Sequence, residues 1–159
     1  MMPTVLVRAL TVEDRLALWE WRRDPMTSAL FGAGPDVDYG QHRRWFDRTM
    51  ESADALWCVG VVETLRIGCA RFDHVRAEEY EMSWFLKPAY AGKGYATALV
   101  REAVAFARIQ RRISLITAYV PAGNPACASI LREANFLVTG EGRVCRGELA
   151  REMAGVAAS

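Results

Sequence analysis

The chain has no excess of charge of either sign. Its 20 Lys and Arg stand against 19 Asp and Glu, for a formal net charge of +1 over 159 residues. A balance this close provides no global field to draw in nucleic acid or an anionic membrane surface. The basic clusters that remain, Trp21–Arg23, Arg43–Arg44 and Arg111–Arg112, read as solvated helix faces and ends. Histidine is scarce, with only His42 and His74, and the four cysteines (Cys58, Cys69, Cys127 and Cys145) form no CxxC pair. That spacing argues against a zinc site, and no metal is expected. Cys58 and Cys69 sit in apolar, strand-like runs, where cysteine behaves as a small hydrophobe, so reduced core thiols and a cytoplasmic location are expected. No apolar run approaches the length of a membrane span, and the N-terminal residues lack the pattern of a signal peptide. No repeat or low-complexity linker interrupts the chain. One globular domain is expected over residues 1–153, followed by a flexible Ala-rich tail at 154–159.

The hydrophobic patterning predicts an order β α α β β β α β α β β. Thr4–Leu10 reads as a first strand, and Thr11 with Asp14 three residues on resembles a capping box opening a helix to Arg22. Met26–Asp38 reads as a loop, and a second helix runs from Tyr39 to Met50. Leu56–Val62 and Arg66–Phe72 suggest a hairpin. Glu79–Leu86 follows as a strand with Glu81, Ser83 and Phe85 on one face and Tyr80, Met82, Trp84 and Leu86 on the other. An apolar stripe from Ala96 to Ala107 makes Gly94–Gln110 the best-defined helix. Ile113–Val120 is a further strand, Asn124-Pro125 opens a helix to about Ala134, and Phe136–Thr139 with Val144–Leu149 closes as an antiparallel pair.

The most informative stretch is Ala91–Ala96, AGKGYA. Glycines at 92 and 94 let the backbone turn sharply and bring N–H groups close to a bulky anion, and the helix that follows points its positive end the same way. A Rossmann fingerprint needs a third glycine where Thr97 stands, and a P-loop needs Ser or Thr where Gly94 stands, so both of those phosphate motifs fail.

With a strand, the AGKGYA turn, a long helix, another strand and then NPACASILREANF in order, the chain resembles the GNAT N-acetyltransferases. The family signature is Q/R-x-x-G-x-G/A, from which the sequence departs at Ala89, and its Asn-led helix ends in a Gly-Phe pair, here Asn135-Phe136. The resemblance implies an α/β acyltransferase fold with a mixed sheet of about seven strands, about four helices and a splayed strand pair for the cofactor. It implies acetyl-CoA as co-substrate, its pyrophosphate on Gly92, Lys93, Gly94, Tyr95, Ala96 and Thr97, its pantetheine and acetyl carbonyl along Trp84, Phe85 and Leu86, and a contact from Asn124. Glu81 matches the family's frequent glutamate base. The tyrosine that often protonates the leaving thiolate is replaced by Leu131, which leaves Tyr119, Ser129 or Cys127 as possible acids, with Tyr119 taken as the catalytic choice. Cys127 as an acyl-carrying nucleophile is disfavoured because no histidine lies near it in sequence.

The acceptor is expected to be a small-molecule primary amine, preferably a nucleotide-linked amino sugar, attacked directly in a ternary complex. WEWRRDP and HRRWF resemble the acetyltransferases of UDP-4-amino sugars, which implies substrate contacts from Trp21, Arg22, His42 and Trp45, although both tryptophans equally suit a helix–sheet core. A ribosomal-protein Nα-acetyltransferase shares the WRRDP-like and GKGYAT segments and stays open, as does a non-catalytic acyl-CoA-binding module. A homodimer is also left open.

Overall fold

The computed structural model describes residues 2–25, 27, 35–140 and 142–147. Most of the Met26–Asp38 loop, the end of the last expected strand and the 154–159 tail lie outside the described residues.

Among the described residues six strands form one sheet in chain order: β1 Leu6–Ala9, β2 Ala55–Val62, β3 Leu65–Arg76, β4 Glu79–Leu86, β5 Leu115–Val120 and β6 Gly142–Gly147. Helices α1 (Arg15–Arg22) and α2 (Tyr39–Glu51) separate β1 from β2, α3 (Tyr95–Gln110) joins β4 to β5, and α4 (Pro125–Glu133) lies between β5 and β6. All neighbouring strands pair antiparallel except β4 and β5, whose parallel pairing requires the crossover that α3 supplies.

β3 runs four residues past the expected Phe72, because the polar Asp73–Arg76 segment continues its ladder with β4 as far as Arg76 opposite Glu79. Backbone pairing sustains this exposed end where apolar content does not.

The expected sixth strand, at Phe136–Thr139, is not a strand: only Leu137 makes a β-bridge, so six of the seven expected strands form. The helix before this segment takes up the N–H of the segment's first residue. Asn135 adopts φ +67, its N–H donates to the Arg132 carbonyl at 3.0 Å, and the Phe136 N–H donates to the Leu131 carbonyl at 2.9 Å. This is a Schellman termination with Asn in the left-handed position usually held by glycine, and Phe136, 4% exposed, is its hydrophobic anchor.

Each sheet face has its own core. Tyr80 and Met82 of β4 pack with Ile116, Ala118 and Val120 of β5 against Val100, Val104 and Leu131 of α3 and α4. On the other face Leu18 and Trp21 of α1 and Phe46 of α2 meet Trp57, Val59 and Cys69, with Phe85 alongside. Burial pushes the thiols of Cys58, to about 12, and of Cys69 up, as befits core hydrophobes. Asp14 ties the N-terminal layer together. Fully buried, it accepts hydrogen bonds from Arg8 at 2.7 and 2.8 Å, from Arg66 at 2.7 Å and from the Thr11 N–H at 2.8 Å, so the capping-box acid is also an ion-pair hub.

Candidate active site

The sheet opens at its one parallel junction. β4 and β5 stay in register from Glu79 opposite Leu115 to Met82 opposite Ala118, and no further. β4 then follows β3. Gly68 faces Leu86 there, and a Cβ on Gly68 would lie 2.1 Å from the Phe85 carbonyl oxygen, so only glycine permits this approach. The Lys87 N–H continues the association by donating to the Ile67 carbonyl at 2.8 Å. β5 ends at Val120, and Pro121 after it has no N–H to extend a ladder.

A cavity of about 560 Å³ occupies the resulting split, and Glu81, Ser83, Trp84, Tyr119, Asn124 and Cys127 are among its lining residues. Four of the site residues expected from sequence, Glu81, Trp84, Tyr119 and Asn124, therefore meet in one place. Strand alternation sets their sides. Glu81, like Phe85, belongs to the face covered by α1 and α2, whereas Met82 packs beneath α3 and α4. The split thus connects the two faces of the sheet.

From the end of β4 the chain passes through a 3-10 turn at Pro88–Tyr90 into the glycine turn. Gly92 (φ +74) and Gly94 (φ +85) are both left-handed, which L side chains avoid. The first hydrogen bond of α3 is donated by Ala98 to the Gly94 carbonyl, so the amides of Tyr95, Ala96 and Thr97 precede the helical ladder. The first turn of α3 holds no acidic residue, and a Cβ on Gly92 would meet no atom within 4 Å. Open space beside amides at a helix N-terminus fits an anionic group. Lys93 is exposed, with its Nζ 3.4 Å from the Ala89 carbonyl.

Several expected residues have other employment. The Thr97 side chain is buried and donates to Glu133 Oε2 at 2.8 Å, tying α3 to α4. Asn124 caps α4, its Oδ1 accepting from the Cys127 N–H at 3.0 Å. Leu131 is fully buried in the α3–α4 core and brings no group to the cavity. Cys127 is 9% exposed, with its thiol 3.9 Å from the Tyr119 carbonyl, and burial raises its pKa, so the protonated form is favoured. Tyr119, by contrast, is 63% exposed.

The four residues expected to contact substrate lie on the α1–α2 side, and three of them are buried. His42 is 0% exposed, its Nε2 lies 2.8 Å from the Arg15 carbonyl and its Nδ1 lies 3.4 Å from Arg22 Nη1, which makes it a tie between α1 and α2. Trp21, 7% exposed, packs on Phe85 with ring centroids 5.2 Å apart. Arg22, 4% exposed, lies over the half-buried Trp45 at 5.0 Å. Trp21, Arg22 and His42 thus present little or no surface to a ligand. Ser83, not among the site residues expected from sequence, also lines the cavity, on the face that alternation with Glu81 along β4 assigns it.

Residues 4–137 match the model of the acetyltransferase (GNAT) domain, and the chain belongs to the GNAT family of N-acetyltransferases. No curated protein sequence matches it. Among solved structures it is similar in fold to the spermidine N-acetyltransferase of Vibrio cholerae in complex with CoA and spermine. The TM-score is 0.79 at 15% identity, covering 92% of this chain and 97% of that one. It is also similar to AAC(6')-Ib in complex with paromomycin and acetyl-CoA, with a TM-score of 0.77 at 16% identity over 94% of this chain and 96% of that one. The same aminoglycoside acetyltransferase with coenzyme A and kanamycin gives a TM-score of 0.74 at 17% identity, over 94% and 98% of the two chains.

Proposed function

We propose that this protein uses acetyl-CoA to acetylate the primary amine of a small molecule, with an amino sugar as the acceptor class. The observation that carries the reading is the split between β4 and β5, where Glu81, Trp84, Tyr119 and Asn124 line one cavity close in sequence to an amide-rich glycine turn. Acetyl-CoA supplies the thioester-activated acetyl group when bound. The amides from Gly92 to Ala96 would hold its pyrophosphate, and the free edge of β4 at Trp84–Leu86 would hold its arm and polarise the acetyl carbonyl. Fixed donors aimed at a carbonyl that gains negative charge lower the barrier to attack. Asn124 keeps a side-chain amide for the arm after its Oδ1 has capped α4.

An alkylammonium has a pKa of about 10, so it must lose a proton before it attacks. Glu81 takes that role, directly or through water, from the α1–α2 side of the split. The amine nitrogen bonds to the acetyl carbon, the carbon–sulfur bond breaks, the nitrogen gives up its surplus proton and the departing thiolate takes one up, for which Tyr119 is the phenol in the cavity lining. Direct attack is further supported by Cys127, whose raised pKa makes it a poor acyl carrier.

The amino-sugar acceptor draws support from the likeness to AAC(6')-Ib, crystallised with paromomycin and with kanamycin. A nucleotide-linked amino sugar is the narrower reading, and burial of Trp21, Arg22 and His42 removes most of the surface on which it rested. An acceptor screen with acetyl-CoA, reading free thiol, tests the proposal across kanamycin, spermidine, a UDP-amino sugar and a ribosomal N-terminal peptide. Turnover on an amino sugar is the expected result. Turnover confined to the peptide overturns the acceptor class, and CoA binding with no turnover on any amine overturns catalysis itself.

A further inference from the structure

Thr117 is the residue of β5 that faces Glu81 across the parallel junction, one rung before the split. Registered partners on neighbouring strands lie about 4.8 Å apart and project to the same face. That face is fixed from both sides: Ile116, Ala118 and Val120 pack under α3 and α4, which leaves Thr117 and Tyr119 on the side of Glu81. Glu81 and Tyr119 both line the cavity, one across from Thr117 and the other two residues along the same strand. Thr117 is 1% exposed, and its Oγ1 is buried with no hydrogen-bond partner among the described residues. Leaving a buried hydroxyl unpaired is unfavourable. Valine has the same shape without that cost, so a threonine beneath a reaction cavity calls for a use.

The geometry points to Thr117 as a positioning residue for proton removal: its hydroxyl holds a water against Glu81, and this water carries the proton from the acceptor ammonium to the carboxylate. The inference rests on Glu81 being the base. In the step the ammonium N–H bond breaks, its proton joins the water, and a proton of that water passes to Glu81. The amine recovers its lone pair and the water is regenerated.

The test compares Thr117→Val and Thr117→Ser, alone and on a Glu81→Gln background, with acetyl-CoA and the amine of highest turnover in the screen above. Thr117→Val should lower kcat about tenfold with KM within about twofold, and Thr117→Ser should restore it. On Glu81→Gln the valine should add no further loss, because both groups serve one proton path. Thermal unfolding separates this from a packing defect. An idle orphan hydroxyl predicts that Thr117→Val is more stable and as active as wild type, which overturns the inference. A loss that serine does not restore, or one that adds fully to Glu81→Gln, also overturns it. If Glu81→Gln alone keeps wild-type turnover, the base assignment fails instead, and no turnover on any amine defeats the parent reading.

Discussion

Met82 and Ala118 are the last residues to face each other across β4 and β5, and Glu81, Thr117 and Tyr119, the side chains proposed to move protons, each adjoin that pair. Up to it the two strands satisfy each other's backbone groups. Past it β4 stays with β3 while β5 stops at Val120, and main-chain donors and acceptors along β4 face a cavity instead of a neighbour. The sheet gives up ladder hydrogen bonds there, and a ligand with amide groups of its own can replace them.

Replacing Gly94 with Asp should abolish measurable coenzyme A binding. The position has φ +85, so any side chain is strained, and an added Cβ would lie 3.1 Å from Pro3 Cδ. A carboxylate there would also face the amides meant for a pyrophosphate and repel it. Isothermal calorimetry should show a loss of more than about tenfold in affinity, while circular dichroism confirms the fold. Affinity within error of wild type would remove the glycine turn from the cofactor site.

Glu81→Gln keeps the shape of the side chain and removes its basicity. A positioned general base contributes roughly a hundredfold or more to rate. The variant should therefore lose about that factor in kcat and bind coenzyme A as before. Wild-type turnover across roughly pH 6 to 9 would show that another group or bulk water accepts the proton.

Much of this arrangement was legible in the sequence because it depends on local rules. Alternation along Glu79–Leu86 gave the face of Glu81, paired glycines before an amphipathic stripe gave the turn, and Asn124-Pro125 gave the start of α4. What could not be read depends on long-range packing. His42 and Trp21 look like ligand residues in one dimension, and only the docking of α1 and α2 on the sheet shows them buried. Phe136 looks like the start of a strand until Asn135 is seen closing α4 in a left-handed conformation. Thr117 carries no signal at all in sequence, since its interest lies in the residue opposite and in the hydroxyl that the described residues leave unpaired.

Stability should fall on acidification in two separate windows. Burial disfavours a charge on His42, and Arg22 and Arg15 add to that effect against its hydrogen bond to the Arg15 carbonyl, so its pKa is lowered. The unfolded chain then binds more protons than the folded one, and stability drops as pH falls below about 6.5. Burial works against the Asp14 carboxylate too, but hydrogen bonds from Arg8, Arg66 and the Thr11 N–H outweigh it and hold its pKa at about 2. Its contribution is complete above the unfolded value of 3.8 and is lost as pH falls toward 2, amounting to about 2 kcal/mol. Denaturant melts should show both phases, with His42→Gln flattening the upper one and Asp14→Asn the lower. A lower phase that survives Asp14→Asn would assign it to other carboxylates.

Cys127 offers the sharpest choice between direct transfer and an acetylated enzyme. It lines the cavity at the N-terminal turn of α4, a position that lowers the pKa of an accessible thiol, yet burial raises it, so desolvation prevails over the helix end. A thiol kept protonated is a weak nucleophile, and its hydrogen is directed at the Tyr119 carbonyl. Cys127→Ala should therefore retain kcat within about threefold, with any loss coming from packing in a partly buried site. Initial rates with acetyl-CoA and amine both varied should give intersecting lines, as a ternary complex requires. Parallel lines, with a 42 Da mass increase on Cys127 when the amine is withheld, would mean that the acetyl group rests on the enzyme first.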